Sequence, residues 1–133
     1  RGMQMMNVEA GGDLIIDLPS QMNTTIHQQE KGDAMHEVKI IPQSRLYEWV
    51  GCLATVVNSN HHQALGRIGE GYQVVAFAPD STVEAIVWSD TITHPFAVGV
   101  QWHPERMIRR NPLASKLGGA FLQQVDQFEN AAK

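Results

Sequence analysis

The stretch Phe96-Ala97-Val98-Gly99-Val100-Gln101-Trp102-His103-Pro104-Glu105 constrains this chain more than any other. Its first half is an apolar, β-branched run of strand length, and its second half places a histidine, a proline and a glutamate where that strand must end. Imidazole titrates nearest neutrality, so His103 is suited to take and return a proton. Pro104 fixes φ and cannot donate to a sheet, so the chain turns and Glu105 can fold back toward His103. A carboxylate on one ring nitrogen sets the tautomer and leaves the other free to serve a nucleophile. His103 and Glu105 thus read as the base and orienter of a triad, or as a strand-end histidine beside a solvated glutamate.

Composition limits the partners. A chain of 133 residues, 43% hydrophobic and 18% charged, is enough for one globular unit and too short for two. A formal net charge of −4 gives no electrostatic reason to expect nucleic acid or an anionic membrane. No apolar run approaches the roughly 18 residues of a membrane span. The single cysteine, Cys52, excludes an internal disulfide. It follows Gly51 and precedes the run Leu53 to Val57 with no Gly-x-Cys-x-Gly elbow and no helix after it, so it reads as a buried, inert thiol rather than a nucleophile. The expectation is a piece of a cytoplasmic protein whose start lies upstream of Arg1.

Periodicity and punctuation divide the remainder. Arg1 to Ala10 carries Met3, Met6 and Ala10 at helical spacing, stopped by Gly11-Gly12. Asp13 to Leu18 is a short apolar stretch closed by Pro19, and Ser20 to Asp33 is polar and reads as a surface loop. His27 and His36 lie at its edges, nine positions apart without metal-ligand spacing, and read as structural or exposed. Val38 to Ile41 alternates as a half-buried strand, and Ser44 caps a helix ended by Gly51. Ala54 to Val57 is a strand leading into Asn58-Ser59-Asn60-His61-His62-Gln63, where adjacent histidines point to opposite sides and share no metal. Gln73 to Ala78 and Val83 to Trp88 form an antiparallel hairpin about Pro79-Asp80-Ser81-Thr82. Glu84 on its second strand is either an outward charge or a group reaching toward a substrate amine. Asn111-Pro112 opens a helix whose stripe Leu113, Leu117, Phe121, Val125 and Phe128 should pack on the sheet.

Gly-Val-Gln-Trp-His-Pro-Glu at 99–105 closely resembles the C-terminal signature of class I glutamine amidotransferase-like hydrolases. Three further stretches fit in the same order: Arg1-Gly2-Met3-Gln4-Met5-Met6-Asn7-Val8 with Gly11-Gly12, Val57 to Gln63, and Ala78-Pro79-Asp80 with Val83-Glu84-Ala85-Ile86. The combination is most similar to the peptidase C26 type, in its γ-glutamyl-γ-aminobutyrate hydrolase branch. The resemblance implies an α/β fold: the C-terminal portion, 1–133, of a single flavodoxin-like domain. Its central sheet would be mostly parallel, flanked by helices, with an added antiparallel hairpin.

The family's nucleophile is the cysteine of Gly-x-Cys-Arg-Gly, and this sequence opens at the Arg-Gly that would follow it. The resemblance therefore implies a cysteine directly before Arg1, with the Arg1 backbone N–H in the oxyanion hole at a helix start. It implies catalytic roles for His103 and Glu105 and substrate binding by Gln4, which on its own would read as an ordinary helix glutamine. It also puts the loop with Asn60 and His61 beside the substrate, whereas the residues alone allow His61 to be a buried, hydrogen-bonded histidine. No cofactor or metal is expected, since a thiol, a base and an oxyanion hole suffice for acyl transfer. The expected partners are a small γ-glutamyl amide, the missing N-terminal half of the domain, and a second copy of the chain in a homo-oligomer. Two alternatives stand beside hydrolysis: the glutaminase part of an amidotransferase passing ammonia to a synthetase, and a non-catalytic fragment or assembly module.

Overall fold

A computed structural model describes residues 1–94 and 96–132. The helix α1, Gly2–Glu9, ends where Gly11 takes a positive φ of 83°. It is followed by the two-residue strand β1, Leu14–Ile15, and by α2, Leu18–Met22. Pro19 opens this helix rather than closing the preceding stretch, because proline is tolerated in a first helical turn. Asp17 caps it, accepting from the Ser20 N–H at 3.0 Å. The polar segment beyond Met22 leads into β2, Ala34–Ile40, which begins earlier than expected and buries alternate residues from Ala34 to Ile40. The helix α3, Arg45–Val50, has the expected Ser44 cap and a left-handed Gly51. Next come β3 (Ala54–Ser59), β4 (Ala64–Leu65), and the expected hairpin β5 (Tyr72–Phe77) and β6 (Val83–Trp88). The strand β7, Val98–Val100, runs into a 3-10 turn at Pro104–Arg106, and α4, Pro112–Ala131, starts under the expected Asn111 cap.

Five strands form one sheet in the order β3-β2-β5-β6-β7, and β1 pairs with β4 beside it. Every pairing among the described strands is antiparallel. The α/β class holds, with helices packed on the sheet, but a mostly parallel arrangement is not what these strands make. The mostly parallel sheet is an implication of the resemblance, whereas these strands include the hairpin β5-β6, antiparallel as its short turn requires, with β6 buried at five of its six positions. Here helices and loops cover an antiparallel strand on both sides.

One core layer joins Val38, Ile40, Val75 and Val87 of the sheet to Leu46 and Val50 of α3 and Leu113 and Leu117 of α4. A smaller layer joins Met3 of α1 to Leu65, Val83 and Ile86. The apolar stripe of α4 packs only in its first half, and Phe121 and Phe128 are 53% and 77% exposed. A 20-residue helix is about 30 Å long, whereas strands of six residues span about 20 Å, so α4 outruns the sheet it covers.

Two contacts seat α1. Asn7, fully buried, donates to the carbonyls of Asp13 and Arg67 and accepts from the Gly69 N–H at 2.7 Å. Gly99 on β7 lets α1 approach the strand: a Cβ there would lie 2.9 Å from Met3 Cγ and 3.2 Å from Met3 Cα. The glycine of the 99–105 motif therefore serves helix-to-strand packing.

Candidate active site and a buried histidine cluster

Four elements converge at the C-terminal end of β7. Trp102, 2% exposed, donates its indole N–H to the Leu113 carbonyl at 3.3 Å and anchors the strand's exit against α4. The next residue is held by a buried amide. The His103 N–H donates to Asn58 Oδ1 at 2.9 Å, and Asn58 Nδ2 donates to the His103 carbonyl at 3.1 Å and to Asp33 Oδ2 at 3.2 Å. With its backbone fixed and Pro104 starting the turn, the chain returns so that His103 Nδ1 and Glu105 Oε1 lie 2.9 Å apart. The Glu105 carboxyl is kept below its ordinary range chiefly by its own backbone N–H, then by His103 and Arg106, which together outweigh slight burial. An ionised carboxylate on Nδ1 places the ring proton there and leaves Nε2 as the basic nitrogen.

Arg1, Gln4, Asn60, His61, His62, Gln63 and Gln101 line a cavity of about 230 Å³. All four residues expected at the oxyanion hole or substrate, Arg1, Gln4, Asn60 and His61, meet there. The His103–Glu105 pair lies two residues beyond Gln101, on the same stretch of chain. Gln4 is not an exposed helix glutamine: it is 8% exposed and donates to the Gln63 carbonyl at 3.2 Å and to Gln101 Oε1 at 3.4 Å. His62 points to solvent and His61 inward, as alternation on an extended segment requires. Cys52 is half-buried, and burial pushes its thiol up despite nearby Lys116, consistent with an inert thiol.

His27 and His36, expected to be structural or exposed, are both buried, and the fold brings them together. The loop after α2 folds back onto the end of β3, where the His27 carbonyl accepts from Ser59 Oγ and from the His61 N–H, each at 3.0 Å. This brings His27 Nδ1 to 3.2 Å from His36 Nε2. Glu84, fully buried, completes the group: its Oε1 lies 3.3 Å from His27 Nδ1, 3.5 Å from His36 Nε2 and 3.4 Å from His61 Nε2. Glu84 is thus neither outward-facing nor directed at a substrate amine. Its burial favours protonation, but the surrounding imidazoles, His27 first, outweigh that and hold its carboxyl below the ordinary value. Burial pushes His27 down, and Glu84 and Asp80 more than reverse it, so His27 sits above its ordinary value. The one sequence signal for this cluster was a glutamate inside the otherwise apolar run 83–88, where a buried charge needs partners.

The fold is that of the class I glutamine amidotransferases. The chain superposes on a glutamine amidotransferase from Thermotoga maritima with a TM-score of 0.55 at 14% identity, covering 96% of this chain and 46% of that one. For a glutamine amido transferase from Methylobacillus flagellatus the TM-score is 0.54 at 19% identity, covering 78% and 35%. Within that fold the chain belongs to the peptidase C26 family, whose model matches residues 1–105. It is 37% identical over 128 residues to Protein NtpR of Enterococcus hirae, covering 93% of this chain and 52% of that protein. It is 34% identical over 113 residues to the gamma-glutamyl-gamma-aminobutyrate hydrolase PuuD of Escherichia coli, covering 79% and 43%. The chain spans about half the length of the curated relatives it matches. Among the described residues no helix is long and apolar enough to cross a membrane.

Proposed function

We propose that this chain supplies the base, the orienter and part of the substrate cavity of a Cys-His-Glu hydrolase acting on γ-glutamyl amides. The carrying observation is the 2.9 Å pairing of His103 Nδ1 with Glu105 on a backbone clamped by Asn58. The nucleophile in this reading is the family's elbow cysteine, directly before Arg1. His103 Nε2 takes the thiol proton, and the thiolate attacks the γ-carbonyl. The Arg1 N–H, at the positive end of α1, stabilises the tetrahedral oxyanion. His103 then protonates the leaving amine as the C–N bond breaks, and activates the water that releases glutamate from the thioester. Gln4 and Asn60 face the glutamyl group. His61 frames the cavity through its position in the loop, since both ring nitrogens are turned to the interior.

Similarity to the E. coli hydrolase supports γ-glutamyl-γ-aminobutyrate, or a related γ-glutamylated amine of polyamine breakdown, as substrate. A cytoplasmic setting belongs to the same reading. The amidotransferase fold supports a second reading, glutamine hydrolysis with ammonia passed to a synthetase. The full-length protein should be incubated with γ-glutamyl-γ-aminobutyrate and, separately, with glutamine. Release of γ-aminobutyrate, a glutamyl adduct on the elbow cysteine, and loss of turnover in His103→Ala are expected. Turnover of glutamine alone supports the second reading, and a His103→Ala protein with parental rates overturns both.

A further inference from the structure

We propose that His27, His36, His61 and Glu84 form a closed, four-coordinate site for a divalent transition-metal ion of the zinc class, independent of the hydrolase chemistry. The tautomers carry the argument. His36 Nδ1 lies 3.0 Å from the Glu37 carbonyl, and His61 Nδ1 lies 2.8 Å from the Gln63 carbonyl. A carbonyl only accepts, so both nitrogens must be N–H donors. His27 Nε2 lies 2.8 Å from the Asp80 carboxylate and is likewise a donor. In the neutral imidazoles the outward nitrogens hold the protons, so the three inward nitrogens present lone pairs, and they face one another across a carboxylate oxygen.

That arrangement repels itself unless a cation sits at its centre. His27 Nδ1 and His36 Nε2 are 3.2 Å apart with no proton assigned between them by their other bonds. Among the described residues His61 Nε2 and both Glu84 oxygens have no well-formed hydrogen bond, although all are buried. With all three rings neutral, a buried carboxylate facing lone pairs is strongly unfavourable. One extra proton, on His27, would bridge one pair and leave His36 and His61 still directing lone pairs at Glu84.

A metal satisfies all four donors at once. Zinc binds imidazole nitrogen at about 2.0–2.1 Å in a tetrahedron, which sets ligand-to-ligand distances of about 3.3–3.4 Å. Four of the six donor pairs lie at 3.2, 3.3, 3.4 and 3.5 Å, and all lie within 4.8 Å. Imidazole-rich donor sets suit zinc and its neighbours rather than calcium or magnesium. The supporting contacts match as well: a metal-bound histidine normally gives its other N–H to a carboxylate or backbone carbonyl, as all three do here. A cavity of about 450 Å³ lined by His27 and His61 among others lies beside the cluster. With every position taken by protein the role is structural: the ion would join the loop after α2, β2, the loop after β3, and β6.

The test is metal analysis of purified full-length protein. After stripping with a strong chelator, the protein should be reconstituted with Zn²⁺ or Co²⁺ alone and followed by elemental analysis, thermal unfolding and the visible spectrum of Co²⁺. One ion per chain, intense tetrahedral Co²⁺ bands and a raised melting temperature on metal addition are expected. Glu84→Gln should weaken binding at least 100-fold, and Asp80→Asn about 10- to 100-fold while keeping all four ligands. Parental protein that takes up no stoichiometric metal and shows only octahedral Co²⁺ overturns the site, as does unchanged affinity in both variants. Since elemental analysis and the Co²⁺ spectrum do not depend on turnover, failure here leaves the hydrolase reading untouched, and the converse holds.

Discussion

Substituting Gly99 by alanine tests whether α1 sits on β7 as closely as described. The added Cβ would meet Met3 Cγ at 2.9 Å, Cβ at 3.0 Å and Cα at 3.2 Å, where carbon atoms prefer about 3.5–4.0 Å. A flexible side-chain tip could swing away, but two of these atoms belong to the root of Met3 and its backbone. The helix must therefore retreat by about 0.5 Å. Overpacking of this kind costs about 1–3 kcal/mol, while replacing glycine inside a strand returns about 0.5–1 kcal/mol. The net expectation is a loss of about 1–2 kcal/mol in urea unfolding, with an unchanged m-value. Met3→Ala alone opens a cavity and costs about 2–5 kcal/mol, because Met3 is 3% exposed. In the double variant the shorter side chain removes the tightest clash, so the two losses should fall short of their sum by about 0.5–1.5 kcal/mol. If the Arg1 N–H serves the oxyanion, the retreat of α1 should also lower kcat about tenfold. A Gly99→Ala protein as stable as its parent, with losses additive in Met3→Ala, would refute the close approach.

Other positions give separate outcomes. Asn58→Ala removes three hydrogen bonds, two to the His103 backbone and one to Asp33, and should cost about 2–4 kcal/mol in urea unfolding. It should lower kcat of the full-length enzyme more than it raises KM, because it loosens the base and not the substrate cavity. Glu105→Gln should leave stability within about 0.5 kcal/mol of the parent and reduce kcat about 10²- to 10⁴-fold, since the amide no longer stabilises an imidazolium. Asp17→Ala tests the α2 cap through pH: hydrogen bonds from Ser20 hold the Asp17 carboxyl below its ordinary value of 3.8. A depressed folded pKa means the cap stabilises above that value and is lost as pH falls through the folded one. Faster amide exchange in α2 of the variant is expected at neutral pH, with the difference from the parent vanishing in acid.

What the sequence disclosed is what depends on near neighbours. The His103–Glu105 pairing spans two positions and a proline, so local geometry brings the groups together. The Ser44 and Asn111 caps and the Pro79–Thr82 hairpin are likewise written in a few adjacent residues. The Asn58 clamp joins residues 45 positions apart, and nothing in the local pattern of either announces it. The mostly parallel sheet comes from the resemblance and not from the strands, of which only the hairpin declares a direction, antiparallel; the direction of the other neighbours depends on long-range topology and not on the pattern within each strand. The histidine cluster was missed for a related reason. Ligand spacing along a chain is informative when one turn or helix presents the ligands, whereas here four segments are gathered by topology. The glutamate within the apolar run 83–88 was the one legible trace, and its partners could be identified only once β6 lay beside the folded-back loop.

The segment Asn58 to Gln63 connects the two sites. Asn58 holds the backbone of His103, and Ser59 holds the loop that carries His27. Asn60, His61 and Gln63 line the small cavity with Arg1 and Gln4, and the Gln63 carbonyl accepts from both Gln4 and His61. His61 is therefore shared: it borders the cavity while its ring closes the buried cluster on Glu84. Six consecutive residues with so many fixed contacts have little freedom to move independently. The packing of the histidine cluster thus also sets the wall against which Gln4 is held. The expected signature is directional. Disturbing the cluster should raise KM for the γ-glutamyl amide more than it lowers kcat, because the cavity wall loosens while Asn58 and Trp102 still hold His103. Glu105→Gln should give the opposite split. Glu84→Gln and Glu105→Gln measured side by side in the full-length protein would show the two patterns. A common fall in kcat alone would mean that the cluster acts on the base and not on the cavity.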